Sequence, residues 1–488
     1  MKCSYSALMT DFYELTMMQG FLEKDPDRKA VFDMFYRRQP FGGGYAVFAG
    51  LDPLLDALEN FRFYDSDIEY IRSLNYFSDH FINYLKGFRF KGEIYSVAEG
   101  TVVFPNEPLL RVTGTLLETQ IIEPLLLNFI NFQTLIATKA ARVCCVAGDA
   151  AVMEFGLRRA QGTDGALSAA RASFIGGVKA TSNVLAGKEY GIPVKGTMAH
   201  SWVMSFESEL EAFLAFSDMY PDDCILLADT YDTLTSGVPN AIKVFEKLKK
   251  DGRKNYGIRL DSGDLSFLSR EAGKMFEKAG FPEAKIIASN DLDEWIIEQL
   301  SREGARIDAY GVGTRLVTAD RDPSLTGVYK LAAKEDEGQF VSAMKITNNP
   351  EKMSNPGIKN VYRFYGDDGM MLSDLVLLED SMEEVNTLIA EKKPIRLNHP
   401  SIEYSYKTLE NYSEAKLLLH RVMEKGKRTE KPIPLIDIQS HAKAELAALH
   451  GTYKRFLNPH IYKVSLSNNL KKLKMSIIKE HMDDKNTD

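Results

Sequence analysis

The chain has 488 residues, of which 44% are hydrophobic, 26% charged and 10% aromatic. At roughly 100–200 residues per domain, that length predicts two to four domains, and the composition excludes a disordered, collagen-like or disulfide-scaffold protein. Lysines and arginines number 60 against 68 aspartates and glutamates, a net charge of −8 with no basic tract, which argues against a nucleic-acid binder.

In chain order, the N-terminus carries Asp11 and Glu14 where a secretion signal needs an unbroken apolar core. Residues 91–119 alternate apolar and polar positions between Gly and Pro turns and predict antiparallel strands. The run IIEPLLLNFINFQTLIA is interrupted by Glu123, Asn128, Asn131 and Gln133, so it predicts a buried helix and not a membrane span. Four cysteines, Cys3, Cys144, Cys145 and Cys224, form no CxxC pair. No thiolate zinc site is expected, and Cys144 and Cys145 are expected to pack as small hydrophobes in a reducing cytoplasm.

From residue 150 a rhythm sets in. Short apolar runs at 150–156, 192–201, 224–232, 256–264, 285–293 and 307–314 alternate with helical stretches such as NAIKVFEKLKKDG and LSFLSREAGKMFEKAG. Strand alternating with helix predicts βα units and a parallel sheet. Every run ends in polar residues, and only a barrel brings six strand ends to one face, so an α/β barrel is expected. NVYRFY, GDDG and MMLSDLVLL then read as a hairpin with Asp-Gly in its turn. The expected division is 1–130 as the first part of a β-rich α+β domain, 131–327 as a TIM-like barrel, 328–395 as the return of the β-rich domain, and 396–488 as a mainly helical extension that frays at its end. KTLENYSEAKLLLHRVMEKGK is one of the amphipathic helical stretches of that extension.

The candidate chemistry lies at the strand ends. His200, in KGTMAHSW, is the one histidine between His80 and His399, and it stands beside Thr197 and Ser201. A lone histidine is commonly a hydrogen-bonded core residue; the strand-end position favours catalysis. RLDSGD gathers Arg259, Asp261 and Asp264, and alternation puts Arg259 and Asp261 on one side of the strand. That set can hold an anion beside a magnesium-binding carboxylate, or form an internal ion pair ordering the rim. Asp229, Asp232, Asn290 and Asp291 offer further ligands for magnesium waters or sugar hydroxyls, with Asp261 and Asp229 the first candidates for Mg2+. Gly311, Gly313 and Thr314 in GVGT suit phosphate through their amides, or form only a tight turn. Arg158 or Arg159 can fork onto phosphate oxygens, the other forming a surface ion pair, while the paired glycines of FIGGVKATSN allow close backbone approach or tight helix packing. No P-loop and no GxGxxG fingerprint occurs.

TDFYELTM, FDMFYRR, EFGLRRAQG, GTMAHS, RLDSGD, SNDLDE, YGVGT and GVYKL together resemble, in order and spacing, the nicotinate phosphoribosyltransferase family, from about residue 9 to about residue 375. The resemblance implies an irregular α/β barrel beside a split β-rich domain. It implies an enzyme that joins nicotinate to phosphoribosyl pyrophosphate (PRPP), with ATP hydrolysed as co-substrate through a phosphohistidine, Mg2+ as cofactor, and a homodimer with shared active sites. By motif position it implies His200 as the phosphorylated residue, with Tyr13, supplied by the second subunit, and Phe155 sandwiching the pyridine ring. Thr197 and Arg259 would contact nicotinate, and Arg158, Gly311, Gly313 and Thr314 phosphate. Asp261 and Asp291 would lie near magnesium and ribose. In the related nicotinamide phosphoribosyltransferases an Asp receives the carboxamide; Ser182 stands at that place here, and a hydroxyl can donate to a carboxylate where an acid would repel it. A glycoside hydrolase using two acids is the alternative from another class, disfavoured by the two tryptophans of the chain, and a catalytically dead regulatory barrel is a third.

Overall fold

The computed structural model describes residues 6–347 and 353–484, so Cys3 and the last four residues lie outside the described part. The chain forms two compact units, Met1–Leu135 with Ser324–Asp488, and Ile136–Pro323.

The unit Ile136–Pro323 is built on six parallel strands: β1 (Ala151–Glu154), β2 (Ala180–Thr181), β3 (Cys224–Leu227), β4 (Tyr256–Leu260), β5 (Lys285–Ser289) and β6 (Ala309–Val312). Their spatial order is β2-β1-β6-β5-β4-β3. Both faces are covered, which is why these runs are continuously apolar. On the outer face, Leu226, Ile258 and Ile286 pack under helices Val238–Lys250 and Leu265–Ala279 through Val244, Phe245 and Phe276. On the inner face Ile225 of β3, Ile287 of β5 and Ala309 of β6 cluster with Ala151 and Met153 of β1, where the sheet curls into a half-barrel. Helix ends are marked locally. Asp264 caps Leu265–Ala279 by accepting from the Phe267 amide at 2.9 Å, and Gly280 (φ +86°) ends it.

The run 192–201 departs from expectation. It is not a sixth βα strand but an extended segment joined to β2 by the single bridge Thr181↔Val194. The short strand β2 takes the expected place in the sheet. Pro193 has no amide to donate and Gly191 turns the chain at φ +69°, so no ladder propagates along the segment. Among the described residues no ladder joins the segment to β3, and the ring stays open there. His200 consequently begins a short helix, His200–Met204.

The glycine pair of FIGGVKATSN serves packing. A Cβ on Gly176 would lie 2.3 Å from the Ala137 carbonyl oxygen. Of the adjacent cysteines, Cys144 packs against the core as expected, whereas Cys145 is exposed.

The other unit contains a seven-stranded and a six-stranded sheet. Lys29–Tyr36 lies between Gly327–Asp336 and Leu110–Thr115, antiparallel to both. Lys359–Tyr365 and Met371–Leu378 form the expected hairpin, with Gly369 at φ +73° in its turn. Within this unit Arg363 is fully buried and forks onto Asp374 at 2.9 and 2.6 Å, while its remaining nitrogen reaches Glu445 at 3.0 Å.

The expected helical extension is corrected. KTLENYSEAKLLLHRVMEKGK folds as strands Tyr406–Leu409, Glu414–Leu417, His420–Glu424 and Lys427–Arg428. Glu414–Leu417 pairs with Lys359–Tyr365, and His420–Glu424 with Glu93–Ser96. Among the described residues of this region only Leu435–Ala448 and Asn468–Asp484 are long helices. No helix among the described residues is long and apolar enough to cross a membrane.

Candidate active site

The C-terminal ends of β3, β4 and β5 bring His200 into a cluster of carboxylates and hydroxyls. The His200 Nδ1 lies 3.2 Å from Thr230 Oγ1, just past β3. Its Nε2 faces Asp229 Oδ1 at 4.0 Å and Asp261 Oδ2 at 3.9 Å. Two carboxylates thus stand on one edge of the ring and a hydroxyl on the other. The imidazole remains 40% exposed while the Asp229 side chain is only 1% exposed. Asp229 Oδ2 accepts from the Asp261 amide at 2.9 Å and from Ser262 Oγ at 2.6 Å; its Oδ1 is buried without a hydrogen-bond partner. Asp261 Oδ1 accepts from Ser289 Oγ.

Beside this cluster the half-barrel encloses a cavity of about 500 Å3. Met153, Ile225, Ile287 and Ala309 give it apolar walls, and Phe155, Thr197 and Arg259 line it too. Arg259 is held by two bonds, to Thr197 Oγ1 at 2.6 Å and to the Met198 carbonyl at 3.0 Å, while its Nε has no partner. Burial draws the guanidinium pKa below its ordinary value, against the pull of Asp261 and Asp229. Lys179, Lys195, Lys285, Asp223 and Asp308 complete the lining, and the apolar stretch beside the fixed Arg259 suits a flat apolar ring carrying a negative charge.

Phe155 explains both glycines of GVGT. A Cβ on Gly311 would stand 2.6 Å from the Phe155 ring, and one on Gly313 would be 3.0 Å from the Phe155 carbonyl oxygen. The same Gly311 Cβ would be 3.3 Å from Ser289, so the ring, the glycines and the carboxylate cluster are neighbours. Thr314 opens the four-residue helix Thr314–Val317. Next to Phe155 in the chain, Glu154 is buried and accepts from Thr181 Oγ1 at 2.5 Å and from the Gly156 amide; burial pushes its carboxyl up.

Other sequence candidates fall at the margin or out of the site. Arg158 is exposed, and its charge is felt at Arg259; Arg159 is exposed as well. Asn290 and Asp291 are exposed at the end of β5 with φ of 86° and 34°, a strained pair of the kind functional loops retain. The Ser182 amide donates to the Glu154 carbonyl at 2.9 Å. Asp232 and Asp264 are helix caps, the former accepting through Oδ1 from the amides of Leu234 and Thr235 and the latter from that of Phe267. Tyr13, in the other unit, is about half exposed on helix Phe12–Lys24. Sequence reasoning passed over Thr230, Ser262 and Ser289. Their signal was a hydroxyl next to, or one strand away from, each strand-end aspartate.

No group of three or more His, Cys, Asp or Glu side chains fit to enclose a metal occurs among the described residues. Magnesium bound with substrate phosphates needs only one or two carboxylates. The partnerless oxygen of Asp229 beside the half-exposed Asp261 fits that demand.

Family models cover nearly the whole chain: a nicotinate phosphoribosyltransferase N-terminal domain over residues 8–131, the nicotinate phosphoribosyltransferase family over 150–354, and its C-terminal domain over 358–474. The chain belongs to the nicotinate phosphoribosyltransferase family. It is 46% identical to the Bacillus subtilis nicotinate phosphoribosyltransferase across 97% of this chain and 95% of that protein. Identity to the Homo sapiens nicotinate phosphoribosyltransferase is 32%, covering 96% of each. The crystal structure of human nicotinic acid phosphoribosyltransferase superposes with a TM-score of 0.82 at 30% identity, over 96% of this chain and 99% of that one. Membership in the nicotinate phosphoribosyltransferase family sets aside the glycoside-hydrolase alternative.

Proposed function

We propose that the protein joins nicotinate to PRPP, releasing pyrophosphate and forming nicotinate mononucleotide, and that it drives this step by hydrolysing ATP to ADP and phosphate through a transient phosphoryl group on His200. The observation that carries the reading is the juxtaposition of an apolar, Arg259-tipped cavity with a half-exposed histidine between two strand-end carboxylates.

In this reading the pyridine ring lies on Phe155, with Tyr13 of a second subunit closing over its other face, so the enzyme acts as a homodimer. The nicotinate carboxylate is received by Arg259, whose two fixed hydrogen bonds leave it no freedom to swing away, and by the Thr197 and Ser182 hydroxyls. Arg158, Gly311, Gly313 and Thr314 hold phosphate oxygens, and Asn290 and Asp291 the ribose. The pyridine nitrogen carries no proton, so its attack on ribose C1 needs positioning and no strong base. Pyrophosphate leaves from an oxocarbenium-like transition state, and the arginines offset the charge gathered on it. Bound at Asp229 and Asp261, Mg2+ would supply further charge neutralisation to the phosphates. Phosphorylation of His200 adds negative charge and acceptor oxygens beside both carboxylates, which changes how the rim holds PRPP. Hydrolysis of the labile P–N bond then favours product release.

The test incubates the enzyme with γ-labelled ATP, quenches it in alkali and counts retained phosphate, then assays nicotinate, nicotinamide and quinolinate with PRPP. The expected result is labelled wild-type enzyme, no label on His200→Asn, and mononucleotide from nicotinate. PRPP-stimulated ATP hydrolysis at the wild-type rate in His200→Asn would remove the histidine from the mechanism, and product from nicotinamide alone would overturn the substrate.

A further inference from the structure

We propose that Ser262 and Ser289 are positioning residues for the His200 reaction, each hydroxyl pinning one oxygen of a carboxylate so that the other oxygen faces Nε2. The inference rests on the phosphoryl-accepting role of His200 proposed above and assigns what makes that role geometrically possible.

A carboxylate rotates about its last torsion in a broad twofold well, so a free aspartate presents no fixed oxygen to a neighbour. Here both aspartates are anchored. The Ser262 hydroxyl donates to Asp229 Oδ2 at 2.6 Å, reinforced by the Asp261 amide at 2.9 Å, and the Ser289 hydroxyl donates to Asp261 Oδ1. The oxygens left over, Asp229 Oδ1 and Asp261 Oδ2, then stand 4.0 and 3.9 Å from the same imidazole nitrogen. Asp229 Oδ1 is buried with no hydrogen-bond partner of its own, an arrangement that costs free energy and is held by the bonds made to the other oxygen.

The anchoring crosses three neighbouring strands. Asp229 follows β3, Asp261 and Ser262 follow β4, and Ser289 ends β5. Each strand thus holds the carboxylate of the strand before it, and the parallel register carries that order to the rim. Thr230, on Nδ1, fixes the opposite edge of the ring. With either serine hydroxyl removed, the corresponding carboxylate is free to turn, and its oxygen no longer stands fixed toward the imidazole edge.

The experiment uses the full-length enzyme with Ser262→Ala, Ser289→Ala, their double variant, Ser262→Thr and Ser289→Thr, alongside His200→Asn. It measures kcat for PRPP-stimulated ATP hydrolysis, KM for nicotinate, phosphoenzyme yield and far-ultraviolet circular dichroism. The double alanine variant should lose on the order of 10- to 100-fold in kcat and in phosphorylation rate, with KM for nicotinate unchanged and the fold retained. The threonine variants, which keep the hydroxyl, should recover most of the rate. A double variant with wild-type kcat, a loss seen only in KM, or threonine variants as slow as alanine would each overturn the proposal while leaving His200 in place. Phosphoenzyme on His200→Asn would instead remove the underlying reading, and the proposal with it.

Discussion

At the scale of single residues, Phe155 shows how one side chain dictates its surroundings. Its ring occupies the space over Gly311 that any side chain would need. Gly311→Ala should therefore tilt the ring away from the pyridine and raise KM for nicotinate by about 10-fold or more, while the Tm moves little. Steady-state kinetics with varied nicotinate check this; an unchanged KM would mean that the ring does not bear on the substrate. From sequence, the GVGT glycines pointed to phosphate amides, and the packing reason was invisible because Phe155 is far away in the chain. His200, Asp229, Arg259 and Asp261 were legible because each is a chemically loaded residue at the end of an apolar run. Their serine and threonine partners were not, since a hydroxyl among strand-end residues has no pattern until the register is known.

At the scale of elements, alternating apolar runs and amphipathic stretches revealed five of the six parallel strands and the helices between them. The sixth position failed because a two-residue strand, Ala180–Thr181, carries too little pattern to be seen, while the more apolar 192–201 carries Pro193 and Gly196. The C-terminal strands failed for another reason. Leu, Glu and Lys favour helix locally, but pairing to strands far away in sequence overrides that preference. The motif RLDSGD divides at this scale: Asp261 belongs to the cluster, whereas Asp264 caps the helix Leu265–Ala279. Asp264→Ala should cost about 1 kcal/mol of stability and leave kcat unchanged. Denaturant titration alongside the activity assay separates the two; a large fall in kcat with normal stability would return Asp264 to the site.

At the scale of the whole molecule, the net charge of −8 coexists with anionic substrates because the relevant cations, Arg259 among them, are local to one rim. Charge also sets how stability responds to pH. Glu14 is buried, shares the Gln120 amide with Glu123 at 3.1 Å each, and is pushed up by burial to about 7, against 4.5 for an ordinary glutamate. The folded chain keeps a proton that the unfolded chain releases between those values. The contribution of this group is therefore full below about 4.5, falls as pH rises, and levels off above about 7. Glu14→Gln cannot ionise, so its Tm advantage over the wild type should grow from pH 5 to pH 7.5; thermal unfolding that shows parallel curves would refute the assignment.

The seven-stranded sheet has a consequence for synthesis on the ribosome. Strand Lys29–Tyr36 finds one neighbour early, in Leu110–Thr115, but its other neighbour aligns Asp33 with Lys330, about 300 residues later. At ~5–20 residues per second, an apolar strand edge waits roughly 15–60 s for its mate. The whole Ile136–Pro323 unit is translated during that wait and can complete itself first. The nascent chain thus carries an open, sticky edge through most of its own making, and in crowded expression this edge is where wrong pairings between copies would begin.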